Sequence, residues 1–444
     1  MKGFEMRDKN YAIKGIVVHT PEFETIEYHD NSYVVCIDGE CAGIFSELPE
    51  QYKDLKVYDY TDRFIIPGMC DMHLHAPQYG FRGIGMLIDD KSSWETWFER
   101  YSFPEENRYK DLEYANLAYQ RFTDDIVKTT TTTRASIYAT IHRPATELLM
   151  RKLADAGFAG YVGKLNMDRN SHYGYQETTQ ESLEETERWI NETSEGYGYI
   201  KPILTPRYTP TCTDECMEGL GKLAVKYNVP VQSHLSEGLD EIEWVKSMKP
   251  EIECYGDAYD MYGLLGTTVP SLMAHVVYPV EKEYEMLKTR NVTVAHCPSS
   301  NMSSCGVARV LDMVGDGIKV GLGTDVAGGP NLSLMRAMTD AVYASKMRWA
   351  FTERKDDPYY PRRILTVANV FYLATMGGGQ FFGKVGCFLP GYEFDAVVLD
   401  DTKLKDFVDR PLRDRMQRIL WWHTPETIEA KFIKGTMVYD RDRQ

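Results

Sequence analysis

Short β-branched or apolar runs recur along the chain, and each is followed by a longer stretch whose apolar residues return every three or four positions. The runs predict strands over residues 68–75, 129–137, 160–167, 199–208, 229–235, 271–277, 292–297 and 319–325. Between them lie helical patterns. Residues 177–194 set Leu183, Trp189 and Ile190 among many carboxylates. Residues 214–227 put Met217, Leu220, Leu223, Ala224 and Tyr227 on one helical face, and 281–290 and 307–314 read the same way. Eight strands, each followed by a helix, predict an α/β fold, a closed (β/α)8 barrel of the TIM type over residues 67–385. The strands are short and strongly apolar, as strands buried on both faces should be.

The two ends differ. Residues 1–66 alternate at 11–18 and 33–37, with a turn at Asp38-Gly39. Residues 386–444 hold β patterns at 394–399 and 428–433, broken by Pro390-Gly391 and Gly435. Neither end carries enough core to fold alone. Together they predict one small flanking β-sandwich domain built from 1–66 and 386–444.

Composition narrows the partners. The 444 residues carry 66 acidic and 50 basic side chains, a formal net charge of -16. Such a surface repels phosphate backbones and anionic lipids, so nucleic acid and membrane are not expected partners. No apolar run approaches the ~20 residues that span a bilayer. The first residues, MKGFEMRDKNYAIKG, lack the apolar stretch of a signal peptide. Nine scattered cysteines fit reduced thiols and a cytoplasmic location better than a disulfide framework. The spaced pairs Cys36/Cys41 and Cys212/Cys216 have no second pair nearby and read as core. A small neutral or cationic molecule is the easier partner for this chain.

In a barrel of this kind, catalytic groups sit where strands end and loops begin. The first strand ends in Asp71-Met72-His73-Leu74-His75, the fifth in Gln232-Ser233-His234-Leu235-Ser236-Glu237. The sixth carries His275, the seventh His296, and the eighth ends in Gly323-Thr324-Asp325. His73 and His75 are two apart, so both imidazoles point to one face of the strand. Imidazole pairs of this kind suit zinc or iron. Taken singly, His234, His275 and His296 read as core histidines, and Asp325 as a helix cap. Five of ten histidines at the ends of inward strands read instead as a site.

Pro67-Gly68-Met69-Cys70-Asp71-Met72-His73-Leu74-His75 resembles the opening motif of the amidohydrolase superfamily, and His234, His275 and Asp325 resemble its remaining active-site positions. The resemblance spans nearly the whole chain. A narrower resemblance is to the guanine deaminases of that superfamily. It rests on His75-Ala76-Pro77-Gln78-Tyr79, Gly163-Lys164-Leu165-Asn166-Met167-Asp168, Thr205-Pro206-Arg207-Tyr208, residues 232–237 and residues 321–329. Residues 301–306 depart from that pattern.

The resemblance implies a metal held by His73, His75, His234 and Asp325, one divalent ion per chain, zinc or iron(II). It implies a single ion because Thr205-Pro206-Arg207 stands where two-metal relatives carry a bridging lysine, while Lys201 falls at the start of its strand and Lys164 on the third. Such an ion makes hydroxide available near neutral pH. His275 and Asp325 would orient it, and Glu237 would carry a proton to a ring nitrogen. Gln78, Arg207 and Tyr208, with His234, would bind the base, and Asp71 would take a proton from a ligand histidine. Guanine would lose its C2 amino group as ammonia, leaving xanthine. A homodimer is also implied. Other ring deaminases and chlorohydrolases of the superfamily, acting on cytosine, a triazine or a thioadenosine, share the strand motifs; Gln78 and the Arg207-Tyr208 pair favour guanine. A non-catalytic scaffold on this fold would have lost ligands, and none is lost here.

Overall fold

The computed structural model describes residues 9–86, 94–171, 174–354 and 363–443, so the first eight residues of the polar N-terminal stretch lie outside the described residues. The chain begins with strands β1 (Tyr11–Glu22), β2 (Thr25–Ile37), β3 (Glu40–Phe45) and β4 (Lys56–Pro67). The middle carries β5 (Met69–His75), β6 (Thr132–Tyr138), β7 (Ala159–Gly163), β8 (Leu165–Asn166), β9 (Ile200–Pro202) and β10 (Thr205–Pro206). It continues with β11 (Val231–Leu235), β12 (Ser271–His275), β13 (Val292–His296) and β14 (Lys319–Leu322). β15 (Ala396–Leu399), β16 (Ile428–Ile433) and β17 (Thr436–Asp440) close the chain.

Strands from the two chain ends share one seven-stranded sheet, in the order β17-β16-β15-β4-β1-β2-β3. A sandwich pictures two facing sheets, whereas here β4 joins both ends in one. It runs parallel to β1 and antiparallel to β15. Tyr11, Ile13, Val34 and Ile65 from the first end pack with Phe394, Val398 and Phe432 from the other in a hydrophobic cluster of their own. Arg134 of β6 ties this sheet to the central strands. Its guanidinium donates to Asp395 and Glu393, each at 2.6 Å, with Arg134 and Asp395 both buried.

The central strands form two four-stranded parallel sheets, β5-β6-β7-β9 and β11-β12-β13-β14, and a short parallel pair, β8 with β10. Their positions match the eight predicted runs. The third and fourth runs are each split in two. Pro202 and Pro206 have no N–H to give to a ladder. At Gly163 a Cβ would stand 1.8 Å from Thr205 Oγ1, so the chain crosses there only as glycine. The two parallel sheets meet at both edges. Leu204 bridges Val231 in parallel, and at the other edge Asp325 N–H donates to His73 O at 2.8 Å and His75 N–H to Val326 O at 2.9 Å.

The helices follow their patterns. Thr178 and Glu181 cap each other at the start of Thr179–Thr193, which buries Trp189 and Ile190. The helix Asp214–Tyr227 starts on the Thr213 side chain and ends on Asn228 in a left-handed conformation. It buries Cys216, Met217, Leu220 and Ala224. Cys36, Cys41, Cys70, Cys212, Cys216, Cys254, Cys297 and Cys387 are all buried and form no disulfide. No helix among the described residues is long and apolar enough to cross a membrane.

Candidate active site

Alternation along β5 sends Asp71, His73 and His75 to the same side. The ends of β11, β12 and β14 bring His234, His275 and Asp325 to meet them. The chain leaves these strands by tight turns. His275 and Asp325 have φ of +74° and +49°, and Ser236 and Val276 are also left-handed. Non-glycine residues held this way cost of order 1–3 kcal/mol each and persist where surrounding contacts fix them. Here the Asp325 N–H bond to His73 and the Val276 N–H bond to Leu235 O at 2.9 Å do so. Gly323 allows the close approach: a Cβ there would lie 2.8 Å from Cys297 Sγ and 3.0 Å from His73 Cβ.

His73 Nε2 and His75 Nε2 lie 3.1 and 3.5 Å from the same oxygen, Asp325 Oδ1. His234 Nδ1–H donates to Arg207 O at 2.6 Å, which leaves Nε2 as its lone-pair atom. His275 Nδ1–H donates to Asn301 Oδ1 at 2.9 Å, and its Nε2 lies 3.5 Å from Glu237 Oε2 and 4.0 Å from Asp325 Oδ2. The donor atoms of His73, His234 and His275 lie within 4.8 Å of one another, as do those of His73, His75 and Asp325, and those of Glu237, His275 and Asp325.

Burial first, then neighbouring imidazoles and Arg207, hold His73, His75 and His234 well below the usual imidazole range, so they are neutral and their lone pairs are free to bind a cation. Burial pushes the Asp325 carboxyl up while His275 and Ser300 pull it back. His73 Nε2 and His275 Nε2 are buried without a hydrogen-bond partner. Buried imidazole nitrogens that face a carboxylate without a hydrogen bond fit a divalent metal ion. No lysine among the described residues enters this cluster. Lys201 is exposed, and Lys164 is buried against Glu177 Oε1 at 2.7 Å.

Beside the cluster lies a second buried network. Arg207 donates through Nη1 to Glu106 Oε2 at 2.7 Å and through Nη2 to Ser102 Oγ at 2.9 Å. Its guanidinium lies 5.1 and 5.2 Å from the Phe98 and Phe103 rings. Gln78 Nε2 donates to Glu106 Oε1 at 2.8 Å and Ser102 Oγ at 3.1 Å, and Ala327 N–H donates to Gln78 Oε1 at 3.3 Å. The Tyr208 ring stands 6.4 Å from the His234 ring and 5.9 Å from Phe98. Tyr208 through its ring and Arg207 through its carbonyl thus link this network to His234.

Asp71 corrects one expectation. Its carboxylate meets no imidazole among the described residues; it accepts from Thr324 N–H at 2.9 Å, Thr324 Oγ1–H at 2.6 Å and His73 N–H at 3.3 Å. It fastens the end of β14 to β5, and burial pushes it up to about 7. His296 stays outside the cluster, and burial pushes it down to about 3. Strand ends alone do not disclose Ser102 and Glu106, which come from the helical turns Phe98–Ser102 and Phe103–Asn107. Their signal is a serine and a pair of glutamates in an aromatic-rich segment. Two more residues escape that reading. Tyr138 ends β6 with its ring 4.7 and 4.6 Å from those of His73 and His75, and Asn301 orients His275.

Residues 64–438 match the amidohydrolase family model. The chain is 34% identical to a guanine deaminase of Dictyostelium discoideum over 96% of its own length and 97% of that protein's. It is 37% identical to the guanine deaminase of Mus musculus over 84% of this chain and 83% of that one. Among solved structures it resembles the guanine deaminase of C. acetobutylicum with guanine bound in the active site, with a TM-score of 0.91, 38% identity, and coverage of 97% of this chain and 100% of that one.

Proposed function

The chain belongs to the amidohydrolase family, and on that premise we propose that it hydrolyses guanine to xanthine and ammonia. The observation that carries this reading is that a chain holding this imidazole–carboxylate cluster matches a guanine-bound guanine deaminase over almost its whole length; the buried Arg207–Glu106–Gln78 network supports it.

His73, His75, His234 and Asp325 would hold one divalent ion, zinc being the ion best suited to this donor set. When bound, that ion makes water acidic enough to attack at neutral pH. The remaining steps belong to side chains. His275, aimed by Asn301, orients the attacking oxygen together with Asp325. Glu237 lies beside His275 Nε2 and takes the proton of the attacking water, which it passes to N3. A second proton, from the new C2 hydroxyl, goes through the same carboxylate to the amino group, which leaves as ammonia while C2=O forms. Arg207, fixed by Glu106 and Ser102, faces the O6 edge, with Gln78 and Tyr208 framing the ring. The buried cation opposite O6 stabilises charge that spreads onto that oxygen as C2 becomes tetrahedral.

The central strands close as a (β/α)8 barrel over 67–385. The hydrogen bonds linking Asp325 and Val326 to β5, and the Leu204 bridge, support closure. The end sheet is the small flanking domain of 1–66 and 386–444, supported by its separate apolar cluster. A cytoplasmic homodimer completes the reading, and the free, buried thiols support the reducing compartment.

The test is conversion of guanine to xanthine by the purified chain, alongside His73→Ala. The wild type should release one ammonia per xanthine. His73→Ala should lose both its tightly held metal and its turnover. A His73→Ala protein that keeps both removes the metal role of the cluster.

A further inference from the structure

We propose that the β1–β2 hairpin carries a second metal site, for a divalent transition-metal ion of the zinc class, built from His19, Glu27 and His29. The hairpin register sets His19 opposite Glu27 and Val17 opposite His29. A cross-strand pair shares a face, and residues two apart on one strand share it too. The three side chains therefore converge on one side of the hairpin.

His19 Nε2 and His29 Nε2 lie 3.1 and 3.2 Å from one oxygen, Glu27 Oε2, and the three donor atoms all fall within 4.8 Å of one another. Tetrahedral zinc with bonds of about 2.0–2.2 Å sets its ligand atoms roughly 3.3–3.6 Å apart. The spacing is also that of the catalytic cluster, where His73 and His75 stand 3.1 and 3.5 Å from Asp325. Two imidazoles and a carboxylate are a donor set that zinc accepts, with a fourth position for water.

The surroundings supply what such a site requires. Cys387 Sγ sits 3.3 Å from His19 Nδ1, on the other side of the ring from Nε2, and the Phe388 ring lies 6.3 Å from that imidazole. His19 is thereby held in one orientation, as a ligand histidine needs. Its side chain is 3% exposed, whereas those of Glu27 and His29 are 43% and 36% exposed, so an ion enters from solvent onto a fixed anchor. Bound there, it would clip the hairpin near the segment that returns the chain to the end sheet. The competing arrangement is a carboxylate accepting two N–H bonds with no ion.

The inference is independent of the deaminase reading, and one experiment separates them. The full chain is freed of metal and dialysed to equilibrium against micromolar zinc, with His29→Ala and Glu27→Gln in parallel; each variant is checked for its thermal transition and guanine turnover. Both positions are partly exposed, so the fold should survive. The wild type should bind about two ions per chain and each variant about one, with turnover unchanged. Zinc should raise the thermal midpoint of the wild type more than that of either variant. Variants that bind as much zinc as the wild type overturn the site; a wild type with one ion and variants with none keep the site and remove the metal role of the catalytic cluster instead.

Discussion

Arg207 and Glu106 lie 101 residues apart in sequence, and their charged groups meet at 2.7 Å with side-chain exposures of 1% and 0%. The pair joins the residue that follows β10 to the helical turn after Ser102. Removing one partner from a buried pair leaves an uncompensated charge, at a cost of about 3–5 kcal/mol. Glu106→Gln should therefore lower the unfolding free energy by roughly that amount, and Arg207→Met should be destabilising as well. The double variant should be more stable than the sum of the two losses implies. Denaturant unfolding of the four proteins checks this, and strictly additive losses would show that the two charges do not depend on each other.

Glu237 is held from behind. Its N–H donates to Glu241 Oε2 at 3.1 Å, and Tyr255 O–H donates to Glu241 Oε1 at 2.8 Å. This fixes the loop that presents the Glu237 carboxylate to His275. Glu237→Gln keeps the shape and loses the proton carrier, so kcat should fall by about 10²–10⁴-fold while the metal content stays the same. Near wild-type kcat would leave proton transfer to His275 or Asp325.

Glu241 also sets a pH dependence of stability. Burial, then the charge of Glu237, pushes it from the ordinary 4.5 up to about 8. The folded state thus keeps a proton that the unfolded chain releases above pH 4.5. The stability contributed is fully present below that pH and is lost as pH rises through about 8. The loss is at most about 1.4 kcal/mol per pH unit in this window. Glu241→Gln removes the titration, so its stability should fall less between pH 5 and pH 8 than that of the wild type, where roughly 1 kcal/mol or more is expected to separate the slopes. Parallel thermal midpoints for the two proteins across that range would mean that Glu241 is ionised in the folded state.

The strands of the centre were legible because double burial makes each a short apolar run, and β5 displayed its function because alternation puts His73 and His75 on one face. The splitting of the third and fourth strands was not legible. It depends on Gly163 meeting Thr205 across the fold, which neither segment shows alone. Ser102, Glu106 and Asn301 escaped for a similar reason: each is defined by its partner, and each sits on a helical turn rather than at a strand end. Asp71 has Thr324 rather than the expected ligand histidine as its partner, because the backbone turn at Thr324 competes for its carboxylate and wins. Local patterns reveal which residues face inward; tertiary packing decides what they touch there.

The most direct measurement is kcat/KM for ammonia release from guanine, 2-aminopurine, cytosine, an aminotriazine and a thioadenosine, with wild type and Arg207→Met. Arg207 is a permanent cation with fixed donor geometry, so the site depends on a polar group opposite it. 2-Aminopurine keeps the C2 amine and lacks O6. Guanine should be preferred over it by up to about 10⁴-fold, because the missing oxygen leaves buried donors unpaired. Arg207→Met should depress guanine turnover and shrink that ratio. Another base of the panel deaminated faster than guanine, or a guanine to 2-aminopurine ratio unmoved by Arg207→Met, would contradict the account.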